Sequence, residues 1–170
     1  ELILLRATIK NESEFWQDIN SNNRNLEKLT IKNVKDLNIH KSSQLVNLKE
    51  LSIQITDSDV SNYREMLRNE KGIDLNPTSN DLCHFIIDNM MQLTNLNLSN
   101  SSLTYFDSKV IGKLTKLTHL DLSSNQIKQL EDGSFDKLTN LKEINLMNNR
   151  MKKININRLF LKQDNLKVLT

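Results

Sequence analysis

Cys83 and His84 stand side by side, and a thiol next to an imidazole is the first pair in this chain that could do chemistry. A thiolate becomes a useful nucleophile when a base within hydrogen-bond reach takes its proton. The surrounding stretch SNDLCHFIIDNMMQ reads as a helix, and neighbouring residues of a helix point ~100° apart, so thiol and ring fall on different faces. The other histidines, His40 and His119, lie far away along the chain. Three scattered imidazoles and one thiol give no metal-ligand spacing. RNEKG, residues 68–72, has neither the preceding strand nor the glycine loop that cradles a phosphate. The chain is therefore expected to have no catalytic set, no metal and no cofactor. The residues that do recur at fixed spacing are leucine and asparagine, and what they offer is burial and backbone hydrogen bonding.

Those residues need elements to hold them. LTNLNLSNSSL begins at Leu93, LTHLDLSSNQI at Leu117 and LKEINLMNNRM at Leu141, at a constant step of 24 residues. LKVLT follows at Leu166, and LKELSI, LEKLTI and LILLRA precede at Leu48, Leu26 and Leu2. The long interval between Leu48 and Leu93 has room for two units, and EKGIDL, from Glu70, puts Ile73 and Leu75 in register. The expected units thus start near 2, 26, 48, 70, 93, 117 and 141, with a partial one at 166. Self-similarity at such a period is the mark of a stacked array, in which no single unit can bury its own apolar face.

Within each unit the pattern is L-x-x-L-x-L-x-x-N-x-L. Alternate side chains of a strand face opposite ways, so Leu120 and Leu122 point into a core while His119, Asp121 and Ser123 point out. Asn125 and Asn149 occupy the ninth position, where the backbone must leave the strand. An asparagine amide both donates and accepts, so it can satisfy the backbone groups that the turn leaves open. Ser101 takes that place in the preceding unit and can do part of the same work, while Val34, Thr56 and Thr78 interrupt the series earlier. The back of the units carries further core residues: Phe106 and Ile111, then Leu130, Phe135 and Leu138, then Ile154 and Phe160. SDVSNYREMLRN and SNDLCHFIIDNMMQ read as short helices on the outer side.

The repeat resembles the leucine-rich repeat family over nearly the whole chain, most clearly over residues 93–149. The 24-residue period and the late Phe of LEDGSFDKLTN are similar to the typical extracellular animal subclass. The resemblance implies one α/β solenoid over residues 1–170, an arc with a parallel sheet on its concave face and loops or short helices on its convex face. The family's extracellular members carry cysteine-rich caps, and one cysteine cannot form them, so a fragment of a longer ectodomain is expected.

Function then lies in surfaces. The outward strand positions make columns: Lys28, Glu50, Gly72, Asn95, His119, Glu143; then Thr30, Ser52, Asp74, Asn97, Asp121, Asn145; then Lys32, Gln54, Asn76, Ser99, Ser123, Met147. These columns are the expected protein-binding face, and they are polar, mixed in sign and poor in the aromatic anchors that dominate many interfaces. Trp16, Tyr63 and Tyr105 lie off the sheet. Asn11, Asn97 and Asn100 are N-x-S/T sequons and are glycosylation candidates, about as many as chance gives in so asparagine-rich a chain. From Lys142 onward seven basic residues face two acidic ones, so this C-terminal stretch is basic and the remainder net negative.

A formal net charge of +2 excludes a protein dominated by nucleic-acid binding. Three glycines and one proline argue against an enzyme built on glycine-rich loops. No apolar run approaches the ~20 residues of a membrane span, so any anchor lies outside this sequence. LTKLTHLDLSSNQIKQLEDGSFDKLTNLKEINLMNNRMKKININRLF looks most like the ectodomains of Toll and Toll-like receptors of the insect type. That resemblance implies an extracellular or cell-surface location, a cystine-knot cytokine of the Spätzle type as protein ligand, and pairing of receptor chains as homodimer or heterodimer. A secreted or surface adhesion or immune factor and an intracellular repeat scaffold remain alternatives.

Overall fold

The computed structural model describes residues 2–5, 19, 25–32, 45, 47–55, 59–61, 68, 81, 87–88, 90–153, 155–160, 166 and 168–169. Seven strands form one sheet: β1 (Leu2–Leu5), β2 (Lys28–Lys32), β3 (Glu50–Ile53), β4 (Asn95–Asn97), β5 (His119–Asp121), β6 (Glu143–Asn145) and β7 (Val168–Leu169). They lie in sequence order and every neighbouring pair is parallel. Parallel strands laid one beside the next in chain order make the α/β solenoid expected from the repeat.

The apolar positions explain the coil. In the unit starting at Leu117, Leu117, Leu120, Leu122 and Ile127 are all buried, and each meets its equivalent one coil away. Burying one such side chain stabilises by ~1.5–3 kcal/mol, so the energy that holds a coil comes from its neighbours. The outer side is closed by a line of aromatic rings. Phe135 is fully buried and touches Phe106 at 4.9 Å between ring centroids and Phe160 at 5.1 Å. Two one-turn helices flank them, α1 (Ser108–Ile111) and α2 (Ile156–Leu159). Asp107 caps α1 by accepting from the Lys109 amide at 2.8 Å. In the two earlier segments expected to be helical, the described residues Asp59–Ser61, Arg68, Asp81 and Ile87 are helical. The expected core residue Ile154 and the substituted turn positions Val34, Thr56 and Thr78 lie outside the described residues.

β3 pairs directly with β4, with Glu50 opposite Asn95 and Leu51 opposite Leu96. Gly72, Asp74 and Asn76, from the unit expected near 70, lie outside the described residues.

A candidate protein-binding surface on the inner sheet and its flank

The sheet register brings two of the three expected columns together. Lys28, Glu50, Asn95, His119 and Glu143 are Cα partners across β2 to β6, and so are Thr30, Ser52, Asn97, Asp121 and Asn145. They line one open trough of about 420 Å³, floored by Leu29, Leu51, Leu96, Leu120 and Ile144. The third column is different. β3, β5 and β6 end at Ile53, Asp121 and Asn145, so Gln54, Ser123 and Met147 lie beyond the strands, and only Lys32 is still within one.

The reason is a turn built into the second column. The side-chain oxygen of Asn97 accepts from the Ser99 amide at 2.9 Å, that of Asp121 from the Ser123 amide at 2.9 Å, and that of Asn145 from the Met147 amide at 3.1 Å. A short polar side chain that captures the amide two residues on bends the chain out of its ladder. Asn97, Asp121 and Asn145 thus have a structural task besides facing the trough. Asn97 also donates weakly to Asp121 at 3.4 Å. Of the sequons, Asn97 lies in the trough with its carbonyl oxygen engaged, Asn100 is exposed at a turn, and Asn11 lies outside the described residues.

Two contacts between charged or titratable groups run along the first column. Lys28 Nζ lies 3.0 Å from Glu50 Oε2. His119 Nε2 lies 3.7 Å from Glu143 Oε2. Thr118 Oγ1 donates to the Thr94 carbonyl at 2.9 Å, which leaves its lone pairs to accept from His119 Nδ1 at 2.8 Å. With Nδ1 as the donor to Thr118, Nε2 faces Glu143, a contact that is an ion pair only when the ring is protonated.

Below the turn runs the asparagine series. Asn125 is buried; its Oδ1 accepts from the Ser101 and Leu103 amides, both at 3.0 Å. Its Nδ2 donates to the carbonyls of Leu98 at 3.0 Å, Leu122 at 2.9 Å and Ser123 at 3.2 Å. Asn149 repeats this one coil later, accepting from Ile127 N and donating to Leu122, Leu146 and Met147. Ser101 does the reduced version, its hydroxyl accepting from Ile55 N at 3.0 Å. These residues bind backbone and have no capacity left for a ligand.

Lys128 is a residue that sequence reasoning overlooked. It stands 24 residues before Lys152, at the same place in its coil, and the Arg150 amide donates to the Ile127 carbonyl at 2.9 Å. The five described basic residues from Lys142 onward do not form one patch. Arg158 pairs with Asp132 at 3.3 Å, Lys142 lies before β6, and Lys162 and Lys167 are outside the described residues. Arg150, Lys152 and Lys153 are exposed in the coil that stacks on that of the exposed Lys128. The common repeat position was the signal in the sequence.

Among the described residues no three His, Cys, Asp or Glu side chains converge as a metal site, and no helix is long and apolar enough to cross a membrane. Cys83, His84 and His40 lie outside the described residues. Residues 91–151 match the family model for leucine rich repeats. A search of curated proteins finds no match. The matched stretch contains β4, β5, β6 and the whole asparagine series, the part of the sheet with the most regular coils. Leucine-rich repeats are typically protein-interaction modules, and a polar, open sheet face suits that use.

Proposed function

We propose that this chain is the protein-binding segment of a Toll-like receptor ectodomain, displayed outside the cell, that recognises a cystine-knot cytokine of the Spätzle type and pairs with a second receptor chain. The observation that carries the binding role is the trough. Five consecutive strands hold two unbroken columns of polar side chains over a surface that no other part of the described chain covers. A rigid, open, chemically inert face of this size suits a folded protein better than a small molecule, which concave pockets enclose on most sides. Support for the receptor type comes from the sequence likeness in residues 114–160, with its 24-residue period and late Phe.

The test is a titration of the immobilised chain with a dimeric cytokine of that type. Saturable binding is expected, weakened about tenfold by Glu50→Lys or Glu143→Lys, in line with the ~1–2 kcal/mol that a reversed contact charge costs. No saturable binding sinks the cytokine assignment. Unchanged affinity in both variants moves the contact off the trough.

A further inference from the structure

In the trough the cation Lys28 is paired with Glu50, whereas the cations of the flank have no ion pair among the described residues. Lys28, Lys49, Lys113 and Arg158 each pair with a carboxylate of the same or a neighbouring coil. Lys128, Arg150, Lys152 and Lys153 have no ion pair or side-chain hydrogen bond among the described residues, and all four are exposed. Adjacent coils stack ~5 Å apart, so Lys128 and Lys152 sit one above the other with like charges facing the same solvent. The equivalent positions one coil earlier are Ser102 and Thr104, so the patch belongs to the last two regular coils only.

A hollow adjoins it. Leu130, Met151 and Leu159 form its apolar floor, Lys153 stands on its rim, and the Asp132–Arg158 pair closes the far side. Leu130 and Met151 are half-buried and pack on the core from outside. The space is about 200 Å³. That is smaller than the ~300 Å³ at which ligand pockets begin, and right for one branched apolar side chain.

We infer that this flank docks an acidic protein segment, its carboxylates on Lys128, Arg150, Lys152 and Lys153 and one apolar side chain in the hollow floored by Leu130, Met151 and Leu159. The inference rests on the protein-binding reading but not on the cytokine or on receptor type. Charge complementarity selects the acidic segment, and the apolar floor separates it from a sulfated polysaccharide, which has nothing to place there. Surface cations left unpaired in this number steer an oppositely charged partner and raise its rate of encounter.

The test uses the full chain and two fluorescent peptides, EEDELDEE and the same peptide with its leucine replaced by glycine. The leucine peptide should bind about tenfold more tightly than the glycine peptide, from burial of one side chain. Its affinity should fall steeply between low and physiological salt, as screening shortens the reach of the four cations. The variant K128E/R150E/K152E/K153E should lose binding while K109E, on the outer side, keeps it; matching circular dichroism spectra exclude a folding defect. Equal binding by the two peptides, or tighter binding by a heparin oligosaccharide, overturns the apolar half of the proposal. Retained binding in the fourfold variant overturns it entirely. A failed cytokine titration leaves these outcomes unaffected, so the two proposals fail separately.

Discussion

Asn125→Ala should be the most damaging polar truncation in the regular coils. The side chain holds five backbone groups, but they do not all depend on it equally. Leu122 O keeps the Asn149 amide at 2.9 Å, and Ser123 O keeps the Asn100 N–H at 3.0 Å. Three groups lose the partner that Asn125 gave them: Ser101 N, Leu103 N and Leu98 O. Ser101, Leu103 and Leu98 are all buried, so bulk water cannot replace it. At ~1–3 kcal/mol for each buried unsatisfied group, with part recovered by a water entering the vacated volume, the expected loss is about 4 kcal/mol. Asn149→Ala strips Ile127 N and Leu146 O at a half-exposed site and should cost about 1–2 kcal/mol. Asn125→Asp keeps both acceptor bonds but cannot donate, and it buries a charge, so it should be nearly as harmful as alanine. Urea titration followed by circular dichroism gives the order of the three variants. Repeat arrays open locally, so amide exchange across residues 98–103 gives the local effect. A loss below 1 kcal/mol for Asn125→Ala, or a larger loss for Asn149→Ala, refutes the accounting of buried partners.

Three further outcomes follow from particular residues. Phe135→Ala empties the outer core and separates Phe106 from Phe160, and a loss of about 3–5 kcal/mol is expected in the same urea titration. Asn100, Ser124 and Asn148 share a left-handed backbone with φ near +55°, which asparagine tolerates better than serine, so Ser124→Asn should stabilise by up to ~1 kcal/mol and Ser124→Val should destabilise, as thermal midpoints will show. Glu50→Gln removes an exposed ion pair with Lys28, and its thermal midpoint should differ from wild type by less than about 1 kcal/mol of stability, which separates any binding defect at that position from a folding one.

Much of the architecture was legible because it rests on spacing. A 24-residue period, three leading apolar positions per unit and a ninth-position asparagine specify a stacked parallel sheet, and both outward columns of Lys28 and Thr30 follow from alternation alone. Ser101 was legible as a partial substitute for asparagine, and its hydroxyl takes Ile55 N as such a substitute can. Asn97, Asp121 and Asn145 looked like free surface, yet each has bent its oxygen back to an amide two residues on. Nothing in the residue type distinguishes those two uses, since the choice depends on where the strand ends.

The sequence by itself determined the coil: which side chains are buried, which face the trough and which bind the turning backbone. Those are consequences of local alternation and of repetition, and they need no knowledge of neighbours. The tertiary structure alone decided how charge is shared. It matched Lys28 with Glu50 and His119 with Glu143 across separate strands, and Arg158 with Asp132 across coils. Among the described residues it gave Lys128, Arg150, Lys152 and Lys153 no ion pair. Pairing is a matter of distance between residues 22 to 26 positions apart, and that distance exists only once the coils have stacked.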